Sequence, residues 1–247
     1  RIVDGALDKF VIGSDSGVIS IANGDSLDPD LSDPKRLFYL LKVAALDGGI
    51  GDQQLSSTCI VNLTIIDVNN KPPVFIQFET VYIKENTAVG TYVYRLEAND
   101  LDNDSTLRYF FDSEASEARN ENGVIIKQSE YDYMQAFDLN ANDGLIRVVK
   151  ILDRERIESI KIGVIVEDIA AISGKQTAMA YLNVIILDEN DNNPKFEKPF
   201  YRRAIMENSQ IGTNILNVIA TDADKNKSVT YELDGPEEIL NFLHLDA

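Results

Sequence analysis

One pattern occurs twice in this chain. The stretch "VYIKENTAVGTYVYRLEANDLDND" from Val81 returns as "FYRRAIMENSQIGTNILNVIATDADKN" from Phe200, so Glu85-Asn86 matches Glu207-Asn208, Gly90-Thr91 matches Gly212-Thr213, and Asp100-x-Asp102 matches Asp222-x-Asp224. Running backward, "IIDVNNKPPVF" from Ile65 corresponds to "ILDENDNNPKF" from Ile186, and Asp47 to Asp168, at an offset near 121 residues. Self-similarity at a fixed period commits a chain to one structural unit used again, and a unit of this length is one small domain. The register assigns 1–71 to the later part of one unit, 72–193 to a whole unit and 194–247 to the first part of a third.

Within the unit the hydrophobic period is two. In "SIKIGVIVED" the residues Ile160, Ile162, Val164 and Val166 alternate with Lys161, Gly163, Ile165 and Glu167, and "TAMAYLNVIIL" puts Ala178, Ala180, Leu182, Val184 and Ile186 on one face. Short alternating runs separated by Gly, Asn and Asp turns predict an all-β sandwich. "DSEASEARNENG", residues 112–123, breaks the rhythm and is expected as a polar insertion loop with a short helical turn. Cys59, within "STCIVNLTI", is expected as a small core residue.

The formal net charge is -18, which disfavours nucleic acid and anionic membranes, since phosphate demands clustered Lys and Arg. No apolar run reaches the roughly 18–20 residues that span a bilayer, so direct membrane insertion of this segment is not expected. The acidic residues fall where strands end: Glu85 after "VYIK", Asp100 and Asp102 after "YVYRLEAN", Asp153 and Glu155 after "GLIRVVKI", Asp168 after "IGVIVE" and Asp188 to Asn192 after "NVIIL". In a sandwich whose strands run from pole to pole, such residues gather at the poles, where one unit meets the next. Around 188–192, Glu85, Asp153, Glu155, Asp188, Asp191, Asp222 and Asp224 are placed to converge.

Two unit charges about 5 Å apart repel by roughly 3 kcal/mol at an effective dielectric near 20, so a knot of carboxylates needs open solvent or a cation. A lone DxD is ordinarily a solvated turn; the whole set repeated in register points to metal. The donors are all oxygen, without the imidazole or thiolate that a transition metal selects, and that chemistry suits calcium. An EF-hand is excluded, because the twelfth position of a loop opening at "DLDNDS" is Phe111, and at Asp222 it is Leu233.

As a set, these motifs resemble the cadherin superfamily over essentially the whole chain, in the manner of its large Fat-like or tip-link-like members: the Glu-Asn base glutamates (Glu85, Glu207), "LDRE" (152–155), both DxD pairs, the strand-end Asp168 and "DENDNNP" (188–194). The resemblance implies tandem Greek-key β-sandwich repeats joined end to end by calcium-binding linkers. It implies that the second junction holds calcium through Glu85, Asp153, Glu155, Asp188, Asp191, Asp222 and Asp224, with Asp191 bridging neighbouring ions. Glu189 and Asn192 would add backbone carbonyls, and Asn190 its side-chain amide.

The first junction departs from this pattern. Its linker "DVNNKPP" has Asn70 where the resemblance expects the bridging aspartate and Lys71 in place of the next asparagine, and only a weak "LDPD" (Leu27 to Asp30) precedes it. Asp67, Asn69, Asp100, Asp102 and Asp168 remain as candidate ligands, so fewer ions or weaker binding are expected there. Residues 1–71 and 194–247 are each expected to be part of a repeat in a longer ectodomain.

The function implied is calcium-dependent adhesion or tethering between cells, in the extracellular part of a single-pass plasma-membrane protein, with another cadherin-type ectodomain, the same or different, as partner. A second class is a receptor or ligand-capture module presenting residues 112–134, with Tyr131 and Tyr133 of "EYDYM" either displayed or packed on their own loop. Catalysis is not expected, since His244 is the only histidine and the strong acidic positions are absorbed by the repeated set. The sequons at Asn62, Asn103 and Asn226 are candidate glycosylation sites.

Overall fold

A computed structural model describes residues 1–245 except 23, 25, 26, 103 and 173, together with all but the side chain of Asp52. Its regular secondary structure is nearly all strand. In the first repeat, β1 (Ile2–Asp4), β4 (Phe38–Leu46) and β5 (Ser56–Thr64) form a sheet in the order β1-β4-β5, beside a hairpin of β2 (Phe10–Ile12) and β3 (Ile19–Ile21). β4 and β5 pair antiparallel from Phe38 opposite Thr64 to Leu46 opposite Ser56. Alternation along β4 turns Tyr39 and Leu41 inward onto Phe10, and the Phe10 and Tyr39 rings meet edge to face at 5.0 Å. Cys59 is not in this core: it is exposed, because β5 is uncovered from Ser56 to Ile60.

The middle repeat holds β6 (Val74–Phe75), β7 (Val81–Lys84), β8 (Tyr92–Arg95), β9 (Ala98–Asn99), β10 (Leu107–Arg119), β11 (Ile125–Ile126), β12 (Phe137–Leu139), β13 (Leu145–Val148), β14 (Ser159–Asp168) and β15 (Gln176–Leu187). One sheet runs β11-β10-β14-β15-β7, another β12-β13-β8, and β6 pairs with β9. Strands distant in sequence are neighbours, as a Greek-key path requires, and β7 closes the sheet edge by pairing parallel with β15, Val81 opposite Val184. The predicted alternation holds, with Ile160, Ile162, Val164, Val166, Leu182, Val184 and Ile186 at 2% exposure or less. Each such side chain is worth about 1.5–3 kcal/mol of burial.

The expected loop at 112–123 is in its first eight residues strand: β10 continues to Arg119, pairs with β11 and lies beside β14. Polar composition misled because the strand is irregular at this point. Asp112 Oδ1 accepts the amides of Glu114 and Ala115, and Ser116 Oγ accepts the Gly163 amide at 2.9 Å, so side chains do part of the ladder's work. The one-turn helix lies further on, at Tyr133–Ala136. Tyr133 is buried and donates to the Ser116 carbonyl at 3.1 Å, while Arg156 stacks over Tyr131; both tyrosines pack on their own repeat.

Gly144 turns the chain between β12 and β13 at φ +69°, where a Cβ would stand 2.3 Å from the Leu96 carbonyl oxygen. Gly144→Ala is expected to lower unfolding free energy by more than about 1 kcal/mol, read from the denaturant midpoint at unchanged slope. In the third repeat β16 (Lys195–Phe196) pairs with β17 (Ala220–Thr221), and a four-residue helix covers Glu237–Leu240.

By packing, the chain divides into two compact units, residues 1–76 with 97–109 and 165–179, and residues 77–96 with 110–164 and 180–247. Every candidate ligand of the first junction falls in the former and every one of the second junction in the latter.

Candidate metal centres

The repeated motifs are turn chemistry. In each DxD the first carboxylate folds the loop by accepting the amide two residues on, Asp102 N to Asp100 Oδ1 and Asp224 N to Asp222 Oδ1, both at 2.9 Å. The second carboxylate is thereby carried inward: Asp102 is 5% and Asp224 0% exposed. The Glu-Asn motifs mark a left-handed residue, Asn86 at φ 56° and Asn208 at φ 58°, a conformation that asparagine tolerates better than most. Directly before it, Glu85 is 2% exposed at the end of β7.

At the second junction two groups of oxygens lie within 4.8 Å of one another, Glu85 with Glu155 and Asp191, and Glu155 with Asp188 and Asp224. Glu85 Oε1 accepts the Glu189 amide at 2.9 Å and Oε2 the Arg154 amide at 2.8 Å. Burial nonetheless pushes the Glu85 carboxyl above its ordinary range, aided by the charges of Glu155 and Asp191. Asp224 Oδ1 takes the side-chain amide of Asn192 at 2.8 Å, and Asp188 Oδ1 accepts the Lys225 amide at 3.0 Å. These contacts tie the linker and the third repeat's loop to one spot.

The sequence reading missed Arg154, which threads this knot at 2% exposure, with Nε 2.5 Å from Asp188 and Nη2 2.8 Å from Glu155. Its Nη1 lies 3.6 Å from Glu121, whose other oxygen takes Lys227 Nζ at 2.9 Å. Burial alone would lower the guanidinium's proton affinity, but Asp188 and Glu155 outweigh it and raise it. One guanidinium offsets a single charge among Glu85, Glu155, Asp188, Asp191, Asp222 and Asp224. The all-oxygen remainder fits calcium.

Asp153 stands apart: it is half-buried, 3.5 Å from Arg156 Nε, and outside both groups among the described residues. Asn190 is exposed beside the knot, and Glu189 turns its side chain out to Lys84 at 3.1 Å.

At the first junction Asp30, Asp67 and Asp102 bring oxygens within 4.8 Å. Asp28 and Asp30 come from "LDPD", which folds as a short 3-10 turn with Asp28 capping the Asp30 amide at 3.0 Å. Asp102 Oδ2 accepts the amides of Asn70 and Lys71, each at 2.8 Å. Asp168 Oδ1 accepts from Thr106 at 2.6 Å and Ala170 at 3.0 Å. Burial raises the Asp168 carboxyl's affinity for a proton, yet these amides and the Asn69 side chain outweigh it and hold it below the ordinary range. Asp100 is raised by burial and by the neighbouring charges of Asp102 and Asp168. Asn69 is buried beside them.

Two lysines occupy the other side of this junction. Lys35 Nζ is 2.5 Å from Asp30 Oδ1 and 3.2 Å from Asp67 Oδ2, and also donates to the Leu101 carbonyl. Lys71 Nζ bonds Asp28 Oδ2 and lies 4.0 Å from Asp30. The Asp30 bond pushes Lys35 up, the Asp28 bond pushes Lys71 up, and Lys71 in turn holds Asp28 down. Of the sequons, Asn62 and Asn226 are exposed, and Asn103 lies outside the described residues.

Residues 79–187 match the Cadherin domain family model. Human Cadherin-23 is 32% identical over 249 residues, covering 96% of this chain, and human Protocadherin-23 is 35% identical over 230 residues, covering 91%. The chain spans only 7% and 6% of those relatives' lengths. Among solved structures, mouse Cadherin-23 EC22-24 superposes with a TM-score of 0.74 at 26% identity, over 96% of this chain and 69% of that one.

Proposed function

From the premise that this chain belongs to the cadherin superfamily, being built of its tandem β-sandwich repeats, we propose that it is a length of ectodomain that calcium stiffens, so that it tethers or spaces adhesive ends between cells. The observation that carries this reading is the convergence of Glu85, Glu155, Asp188, Asp191 and Asp224 into two oxygen groups sharing Glu155. These residues, with Asp222, the backbone carbonyls of Glu189 and Asn192 and the Asn190 amide, would hold the metal; Asp153 completes the set inferred from sequence. Calcium supplies positive charge to carboxylates contributed by the middle repeat, the linker and the third repeat. The chain's own part is to bring them together, through the Asx turns, the left-handed Asn86 and the two amides on Glu85.

The repeats are read as the extracellular part of a single-pass membrane protein, facing a second cadherin-type ectodomain, the same or different. The receptor alternative loses support because Tyr133 is buried and Tyr131 is covered by Arg156. Calcium titration by calorimetry is expected to resolve two affinity classes, the tighter at the second junction and the weaker at the first, where the ligands are drawn from Asp67, Asn69, Asp100, Asp102 and Asp168. Extracellular modules bind in the range of about 10⁻⁴–10⁻³ M. A single class of sites counts against this division.

A further inference from the structure

The two junctions differ in what already neutralises them. At the first, Asp28, Asp30 and Asp67 are engaged by the ammonium groups of Lys35 and Lys71. Among the described residues four carboxylate oxygens there, Asp30 Oδ1, Asp100 Oδ2, Asp102 Oδ1 and Asp168 Oδ2, are buried with no hydrogen-bond partner. Asp30 Oδ1 has the Lys35 ammonium 2.5 Å away, whereas the other three have no such cation against them, and Asp102 and Asp168 are at most 5% exposed. A buried carboxylate oxygen left unmatched is costly, whereas one in contact with an ammonium is already matched.

We infer that the first junction carries its own cations: Lys35 and Lys71 take the places that metal would hold on Asp28, Asp30 and Asp67, leaving one calcium seat at Asp100, Asp102, Asp168 and Asn69. This rests on the reading of the acidic knots as cation seats. The lysines also do the joining. Lys35, from the first repeat, reaches the Leu101 carbonyl of the middle repeat, and Lys71 pins the linker to Asp28. An ammonium donating to a carbonyl and two carboxylates makes the same class of contacts as a bound calcium ion, but it cannot be withdrawn by a chelator. The linker at 67–71 therefore keeps its closure at calcium levels that open 188–192.

Hydrogen exchange on the full chain tests this through amides that bond directly to the knots, Asn70 N to Asp102 and Asn192 N to Asp224. Moving wild type from calcium to chelator is expected to speed exchange at Asn192 by about tenfold or more and at Asn70 by less than about threefold, the difference of one charge-assisted bond kept or lost. In Lys35→Met/Lys71→Met the chelator should speed Asn70 by about tenfold, and calcium should restore its protection by entering the vacated carboxylates. Lys35→Arg/Lys71→Arg, which keeps the charge, should behave as wild type. Equal exchange at Asn70 in wild type and the Met variant in chelator overturns the proposal. If Asn192 ignores calcium, the reading of the second knot fails, while the lysine comparison at Asn70 is still decided by its own result.

Discussion

Asp191→Ala is expected to lower the thermal midpoint measured in millimolar calcium by about 5–10 °C and to leave the midpoint in chelator unchanged or slightly raised. A site filled at about a hundred times its Kd adds about 2.7 kcal/mol to the native state. In a chain of this size each kcal/mol moves the midpoint by about 2–4 °C. Asp191 belongs with Glu85 and Glu155 to one of the oxygen groups, so its loss removes a ligand in calcium. Without metal, the same loss removes one repelling charge beside Glu85, whose own carboxyl already resists ionisation. An equal fall in both media would mean that Asp191 serves the fold and not the metal.

Ile162→Ala should give the opposite signature, a loss of about 2–5 kcal/mol that is the same with calcium and with chelator. Ile162 is wholly buried on β14, and truncation there removes transfer free energy and leaves a cavity that the packed sheets cannot close. Measured together, the two variants separate what the sandwich contributes from what the ion contributes. If calcium rescued Ile162→Ala fully, the metal would be holding the core itself, contrary to the placement of the knots beyond the strand ends.

Much of the fold was legible because a period-two pattern states which side chains go inward. β15 follows it along its length and β14 does so except at Gly163, which is buried on the outward-facing side, and the repeat supplied the register. The pattern failed where side chains replace backbone pairing, as Asp112 and Ser116 do in β10. It failed also at Cys59, whose burial depends on what covers β5 and not on β5 alone. At the sites, the acidic positions were readable because turn geometry ties DxD and Glu-Asn to strand ends.

Their cationic partners were not. Nothing in "LDRE" says that its arginine folds inward among three acids. Lys35 lies outside every repeated motif, and only the fold sets it beside Asp67. "LDPD" is a weak signal because it is out of step, 125 positions from "LDRE" against 121 elsewhere. Loop length shifts the register there, while the carboxylates still arrive at the same end of the repeat.

The parallel pairing of β7 with β15 has a directional consequence. After the two-residue β6 the middle repeat's chain runs into β7, and it leaves through β15, with Val81, Tyr82, Ile83 and Lys84 opposite Val184, Ile185, Ile186 and Leu187. A pull on the two ends of this repeat drives those strands past each other along their length. The hydrogen bonds between them then bear load in shear, side by side, and have to slip together. An antiparallel terminal pair would be peeled apart bond by bond.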